Sequence, residues 1–236
     1  MRVDTATETN NFSFDFILQR TATLLSVAIL TITLVAAVSG ILIAFYYEPA
    51  AGAAYSSLDR ISQEIPFGWL VYSLHSWAGN GVIVVALVQL VVMFLGRQFR
   101  RNWLTAWVSN VLLVLAVMGL SWTAMILGWN QLGFWRLKVE LGIIESIPFL
   151  GESIRSILTG GNGVNTTTIA HFYTLHSYVV STAAIALAVV HLVALVLQEQ
   201  KQKQSVLAQL ENLVSSEAES HTDVEAREVE VANRQS

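Results

Sequence analysis

The sequence has no cysteine and few charged residues. Its 236 residues include only 3 Pro, and 13% are Asp, Glu, Lys or Arg. Without cysteine the chain cannot form disulfides, thiolate metal sites, iron–sulfur clusters or thioether-linked cofactors. Much of the acid behind the net charge of −4 lies near the C-terminus, and no long basic stretch indicates nucleic-acid binding.

Apolar residues dominate what remains. They make up 54% of the chain and form four long stretches, at residues 21–46, 68–95, 104–127 and 170–197. Each is longer than the roughly 20 residues that a helix needs to cross a bilayer core. The sequence therefore predicts an all-α fold, a four-helix transmembrane bundle.

The composition divides the chain into three parts. Residues 1–20 predict an amphipathic lead-in, residues 21–198 the membrane domain, and residues 199–236 a polar, partly disordered tail. The loop at residues 128–169 has apolar positions at helical spacing, broken at Pro148 and Gly151. It predicts two short amphipathic helices on the membrane surface.

The distribution of basic residues predicts the orientation. The short loop between the second and third stretches carries three arginines, and Arg20, Lys201 and Lys203 lie on the same side. By the positive-inside rule both termini and this loop are cytoplasmic. The other two loops then face the opposite side, which we call outer.

Three histidines lie inside the apolar stretches, where ionisable side chains are costly and indicate function. His191 follows His176 by 15 residues, and Gln89 follows His75 by 14, which is about 21 Å of helix. The second and fourth helices run in parallel. His75 and His176 therefore share an outer level, and Gln89 and His191 an inner one.

Two histidines at one depth on parallel helices favour a haem held by both imidazoles, which suits His75 and His176. The alternative is that they are polar packing residues, hydrogen-bonded across the bundle. Glutamine is a poor haem ligand. The inner level therefore holds either a haem without a second protein ligand or, as we favour, a hydrogen bond between Gln89 and His191.

Several segments together resemble one family. They are SGILIAFYYEP, FGWLVYSLHSW, GWNQLGFWRLKVELGIIESIPFLG and HFYTLHSYVV. Over about residues 12–198 the chain resembles cytochrome b6 and the N-terminal half of cytochrome b. The resemblance implies haems between the second and fourth helices, with His75 and His176 as the outer axial iron ligands and His191 as the remnant of the inner pair.

The chain departs from the family pattern at the inner level. The family's fourth histidine falls at Gln89. Of the positions where family glycines face a haem, Gly40 and Ser121 match the outer level, and Ser26 and Asn110 the inner one. A polar side chain at Asn110 argues against an inner haem. The resemblance thus implies one haem b, with a second left open.

The resulting prediction is a membrane b-type cytochrome that carries single electrons in a photosynthetic or respiratory chain. We expect exchange with a quinol or quinone, or with partner membrane subunits. Because no separate catalytic residue is expected, the chain is not a complete quinol oxidoreductase alone. The likeness to b6 predicts the thylakoid or plasma membrane of a photosynthetic prokaryote.

Two other functions stay open. The first is a non-catalytic assembly or regulatory subunit that retains the scaffold, and the second is a transporter or channel with a histidine proton relay. His171, near the outer end of the fourth helix, is either a surface histidine or a proton acceptor near a quinol site.

Overall fold

The structure is a computed structural model that describes the backbone of residues 5–161 and 163–234 and the side chains of residues 16–161 and 163–216. These residues form helices and no strands. The helices are α1 Thr5–Ala44, α2 Ala54–Gln63, α3 Gly68–Leu95, α4 Leu104–Leu127, α5 Gln131–Glu145, α6 Gly151–Thr159, α7 Thr166–Thr174 and α8 Ser181–Arg234. A 3₁₀ turn, Arg101–Trp103, precedes α4, and a π-helical turn, Leu175–Val180, joins α7 to α8.

Within this described part, four helical segments are long and apolar enough to cross a membrane. They are Phe16–Ala44, Gly68–Leu95, Arg101–Leu127 and Thr166–Ser216. The predicted all-α fold with four spans is confirmed. The two helices predicted in the third loop are also confirmed, as α5 and α6.

The four spans alternate in direction. The start of α1 lies beside the end of α3, since a Cβ added at Gly96 would be 3.4 Å from Leu18 Cβ. Consequently α1 and α4 run one way, while α3 and α8 run the other. We call the end with residues 96–103 the arginine-loop end, and the opposite end, with α2, α5 and α6, the α5 end.

An apolar core fills the middle of the bundle. It draws buried side chains from all four spans and contains no polar residue: Ile29, Val82, Ala86, Leu113, Val114, Val117 and Ala188. The outward faces of the spans are also apolar; Val84 on α3, for example, is 61% exposed. Side chains that are apolar on both faces suit helices surrounded by lipid.

Local hydrogen bonds define the α5 end. The Asn130 side chain accepts from the backbone N–H of Gly133 (2.8 Å) and so caps α5, and a capping box at Asn165 and Thr168 begins α7. Burial raises the pKa of Tyr47, so its hydroxyl keeps its proton and donates to the carbonyl of Leu127 (2.9 Å). These contacts fix the loops that carry the ends of α4 and α7.

Two elements differ from the sequence-based expectation. The first loop contains α2, which was not predicted because it is short and mostly polar. Its buried Ala54 and Ile61 lie two turns apart on one face. The tail was expected to be partly disordered, yet α8 continues to Arg234. Residues 199–234 lack Gly and Pro and are rich in good helix formers.

The chain divides into two compact units between Ala194 and Leu195. The second unit is the C-terminal part of α8. There Glu199 and Lys203 form an i,i+4 ion pair of 3.2 Å, with the acidic residue on the favourable N-terminal side. The predicted limits at residues 20 and 198 stay predictions.

The turn between α2 and α3 depends on Gly68. A Cβ added there would lie 1.9 Å from the carbonyl oxygen of Ile61. We expect Gly68→Ala to lower the stability by about 1–3 kcal/mol through steric overlap. Thermal unfolding in detergent, followed by circular dichroism, measures the effect. Gly52→Ala is the control, since nothing lies within 4 Å of its added Cβ; equal melting temperatures for the two variants would contradict the expectation.

Candidate functional site

His75 and His176 face each other across the bundle. His75 lies on α3 and His176 in the π-helical turn before α8. Their ring centres are 6.2 Å apart, with an angle of 69° between the ring planes. The structure thus brings together the two residues that the sequence assigned to the outer level, which we now call the His75 level.

The Nδ1 atoms of both rings are held by neighbouring helices. His75 Nδ1 lies 2.8 Å from the carbonyl oxygen of Ala36 on α1, and His176 Nδ1 lies 2.9 Å from Thr123 Oγ1 on α4. The carbonyl of Leu120 is a further hydrogen-bond partner of His176. A carbonyl only accepts, so each Nδ1 carries the proton, and the Nε2 of the neutral ring keeps its lone pair. Metal-binding histidines are oriented in this way.

The separation of the two rings suits one metal ion between them. Two metal–nitrogen distances of roughly 2 Å, plus about 1 Å from each nitrogen to its ring centre, require ring centres about 6 Å apart. In the described part of the chain, no group of three or more His, Cys, Asp and Glu could hold a metal. A haem needs only two axial protein ligands, and the His75 level fits one.

Gly40 allows the close approach of α1 and His75. A Cβ added at Gly40 would lie 2.9 Å from His75 Cε1, a distance that real Cβ atoms do not tolerate. This contact agrees with the placing of Gly40 at the outer level. No larger residue fits there while the ring keeps its position.

Ser121, the other residue that the sequence assigned to this level, is exposed. Thr123 is 2% exposed, and it is the hydroxyl that contacts His176. Two residues on a helix point about 200° apart, so the two side chains lie on opposite faces of α4. The structure therefore places Thr123 beside His176 instead of Ser121.

The second level, which we call the His191 level, is organised differently. Gln89 and His191 are both 0% exposed. The Gln89 amide nitrogen donates to the carbonyl of Ala22 (3.2 Å) and to His191 Nε2 (2.5 Å). His191 Nδ1 lies 3.1 Å from the carbonyl oxygen of Ala106 and carries the proton. The Nε2 lone pair that would bind iron is therefore engaged by Gln89.

Further polar side chains occupy the His191 level. Asn110 is 0% exposed and Ser26 is 1% exposed. Among the described residues, neither the Asn110 amide, the Ser26 hydroxyl nor the Gln89 carbonyl oxygen has a hydrogen-bond partner. With its histidine engaged and these side chains in place, the level does not fit a haem.

The two levels share one register. The carbonyls of Ala22 and Ala36 on α1 are 14 residues apart, as are Gln89 and His75, which they hold. On α4, Ser109 and Thr123 are also 14 apart and contact His191 and His176. The two histidines, however, are 15 residues apart. A π-helical turn adds one residue to a helix, and Leu175–Val180 supplies the turn that absorbs the difference.

Some contacts of the site carried no sequence signal. Ala36 and Ala106 act through their carbonyls, which no side-chain pattern indicates. Ser109 and Thr123 were detectable only as a hydroxyl pair at the spacing of Gln89 and His75. His171 lies apart from both levels, with Nδ1 2.9 Å from the carbonyl oxygen of Ile157, and it joins α7 to α6.

The fold and the paired intramembrane histidines define a class, the haem-binding membrane cytochromes built on four transmembrane helices. Comparison with known proteins gives the family. The model for cytochrome b/b6/petB matches residues 14–200. The chain therefore belongs to the cytochrome b/b6 family, which binds haem and transfers electrons in membranes.

Individual relatives agree with this assignment. Cytochrome b6 of Cyanidium caldarium is 33% identical over 73% of this chain and 79% of its own length. Cytochrome b6 of Synechococcus elongatus is 32% identical over 64% and 70%, respectively. A solved structure, a hyperthermophilic respiratory Complex III, shares the fold with a TM-score of 0.61 and 22% identity; the match covers 75% of this chain and 47% of that one.

The contact at Gly40 gives a prediction for the His75 level. We expect Gly40→Ala to displace the His75 ring and lower haem content, because the added Cβ overlaps Cε1. Haem per chain, measured on purified protein by pyridine haemochrome, reports the loss. Gly79→Ala, one turn from His75 with nothing within 4 Å of the added Cβ, is the control. Full haem content in both variants would refute the role of Gly40.

Proposed function

We propose that this chain is a one-electron carrier with a single haem b, held by His75 and His176. The observation behind the proposal is the contrast between the two levels. At the His75 level both Nδ1 atoms are anchored and both Nε2 lone pairs face the space between the rings. At the His191 level the Nε2 lone pair accepts a hydrogen bond from Gln89.

The residues of the chain would bind and orient the cofactor. Ala36 and Thr123 fix the rotation of the two imidazoles, and Gly40 lets α1 approach His75 closely. When bound, the haem supplies one-electron redox chemistry, and two axial histidines leave its iron no open position for a substrate. The surrounding apolar side chains keep water from this depth of the membrane.

The arginines of residues 96–103 and the family relatives support the remaining details. We propose cytoplasmic termini, which put the His75 level near the outer face, as in a thylakoid or plasma membrane of a photosynthetic prokaryote. Electrons would then enter and leave on that side, through a quinol or a partner membrane subunit. The match to Complex III spans 47% of that chain, in keeping with an electron carrier that is not a complete quinol oxidoreductase alone.

A second candidate is a non-catalytic assembly or regulatory subunit. The observation that favours it is the extent of α8, which continues to Arg234 although the family match ends at residue 200. Such a helix could hold a partner while the membrane domain keeps its scaffold. This candidate predicts a chain that purifies without haem as part of a larger complex.

Haem stoichiometry tests the main proposal. We expect one haem per chain, with a low-spin b-type reduced-minus-oxidised spectrum. His75→Ala should abolish this spectrum, because the iron loses an axial ligand. His191→Ala should keep it, because this ring does not bind the cofactor.

His171→Ala serves as the control for the loss of a histidine, since His171 contacts only α6 in a part of the chain remote from both levels. Two low-spin haems per chain would overturn the proposal of a single haem. A haem-free native chain that co-purifies with a complex would favour the subunit.

A further inference from the structure

The His191 level contains buried polar atoms that the cofactor site does not use. The Asn110 amide nitrogen and oxygen, the Ser26 hydroxyl and the Gln89 carbonyl oxygen have no hydrogen-bond partner among the described residues. All three side chains are at most 1% exposed. An unpaired polar group in apolar surroundings is costly, so four such atoms at one level indicate a ligand that pairs with them.

The three side chains lie on one side of the Gln89–His191 pair. Ser26 follows Ala22, whose carbonyl holds Gln89, by one helical turn, and Asn110 follows Ala106, whose carbonyl holds His191, by one turn. Because α1 and α4 run the same way, both turns lead about 6 Å from the pair toward the bilayer centre. Ser26 and Asn110 therefore enter the same layer from opposite sides.

Small residues leave space in this layer. One turn from Gln89 on α3 is Ala86, and one turn from His191 on α8 is Ala188; they are 0% and 1% exposed. The next layer toward the centre is closed by Ile29 and Leu113 of the apolar core. The polar atoms thus border a small enclosed volume.

We propose that Ser26, Gln89 and Asn110 form a closed binding site for water at the His191 level, a site that rests on the proposed absence of a haem there. Together they offer a hydroxyl, two amide donors and two amide acceptors. A buried water takes two to four such partners, donating to some and accepting from others.

Other ligand classes fit the site less well. No ionised side chain is among the described residues that border it, and an ion in such surroundings lacks a counter-charge. A planar ligand of haem or quinone size would have to break the Gln89–His191 hydrogen bond. Water adds no charge and no redox-active group, so this level would act as a neutral, hydrogen-bonded plug.

Two measurements on the full chain in lipid test the site. The first is a structure at a resolution that shows ordered water. The second is the infrared band of buried water, identified by its shift in H₂¹⁸O. We expect water between Asn110, Ser26 and Gln89, and loss of the band in Asn110→Leu, whose side chain has a similar volume but no polar atoms. Asn102→Leu, at an exposed position of the arginine loop, is the control.

The sign of the stability change separates a hydrated layer from a dry one. If water is bound, Asn110→Leu removes its partner and lowers the melting temperature, with haem content unchanged. A dry layer in the native structure, together with a raised melting temperature in Asn110→Leu, would overturn the water site alone. A haem at this level would overturn both the water site and the single haem. Should Asn110→Leu fail to fold, Ser26→Ala carries the same two readouts.

Discussion

The whole site depends on the register between backbone carbonyls and the side chains that they hold. On α1, the carbonyls of Ala22 and Ala36 are 14 residues apart and hold Gln89 and His75 on α3, also 14 apart. Two straight helices can keep such contacts at both levels only if their spacings agree, because each residue adds about 1.5 Å of rise. The 15-residue spacing of the histidines around α8 breaks this equality, and the π-helical turn at His176 restores it. A local irregularity in one helix thus serves the alignment of the entire bundle.

This common register leads to different chemistry at each level because of what faces the Nε2 atom. The anchoring of Nδ1 by α1 or α4 is the same for His75, His176 and His191. Between His75 and His176 the two lone pairs face one space, whereas beside His191 an amide N–H of Gln89 fills it. Gly40 at one level and Asn110 at the other extend the contrast to α1 and α4. The scaffold fixes where a ligand can bind, and the side chain opposite each histidine decides whether it does.

The sequence predicted those features that depend on spacing and hydropathy. The four spans, the two helices of the third loop and the pairing of His75 with His176 follow from lengths and depths along the helices. A contact between Gln89 and His191 was also expected, because their depths match. Carbonyl partners such as Ala36 carry no side-chain signal, and Thr123 was missed because the resemblance assigned its place to Ser121, on the opposite face of α4. Likewise α2 and the helical tail lack the apolar length by which membrane helices are detected.

The distance between the levels determines what the loss of one of them means. Fourteen residues of helix separate the levels by about 21 Å, and the space between them is filled by the apolar core of Ile29, Val82, Leu113 and their neighbours. Within the described residues, that core contains no group that exchanges electrons. Two cofactors would let an electron cross the bilayer in two shorter steps, whereas one cofactor at the His75 level confines it to one side. An apolar core together with a neutral His191 level therefore makes the bundle an insulator across most of its thickness. Such a chain is suited to exchanging electrons between donors and acceptors on the same face of the membrane.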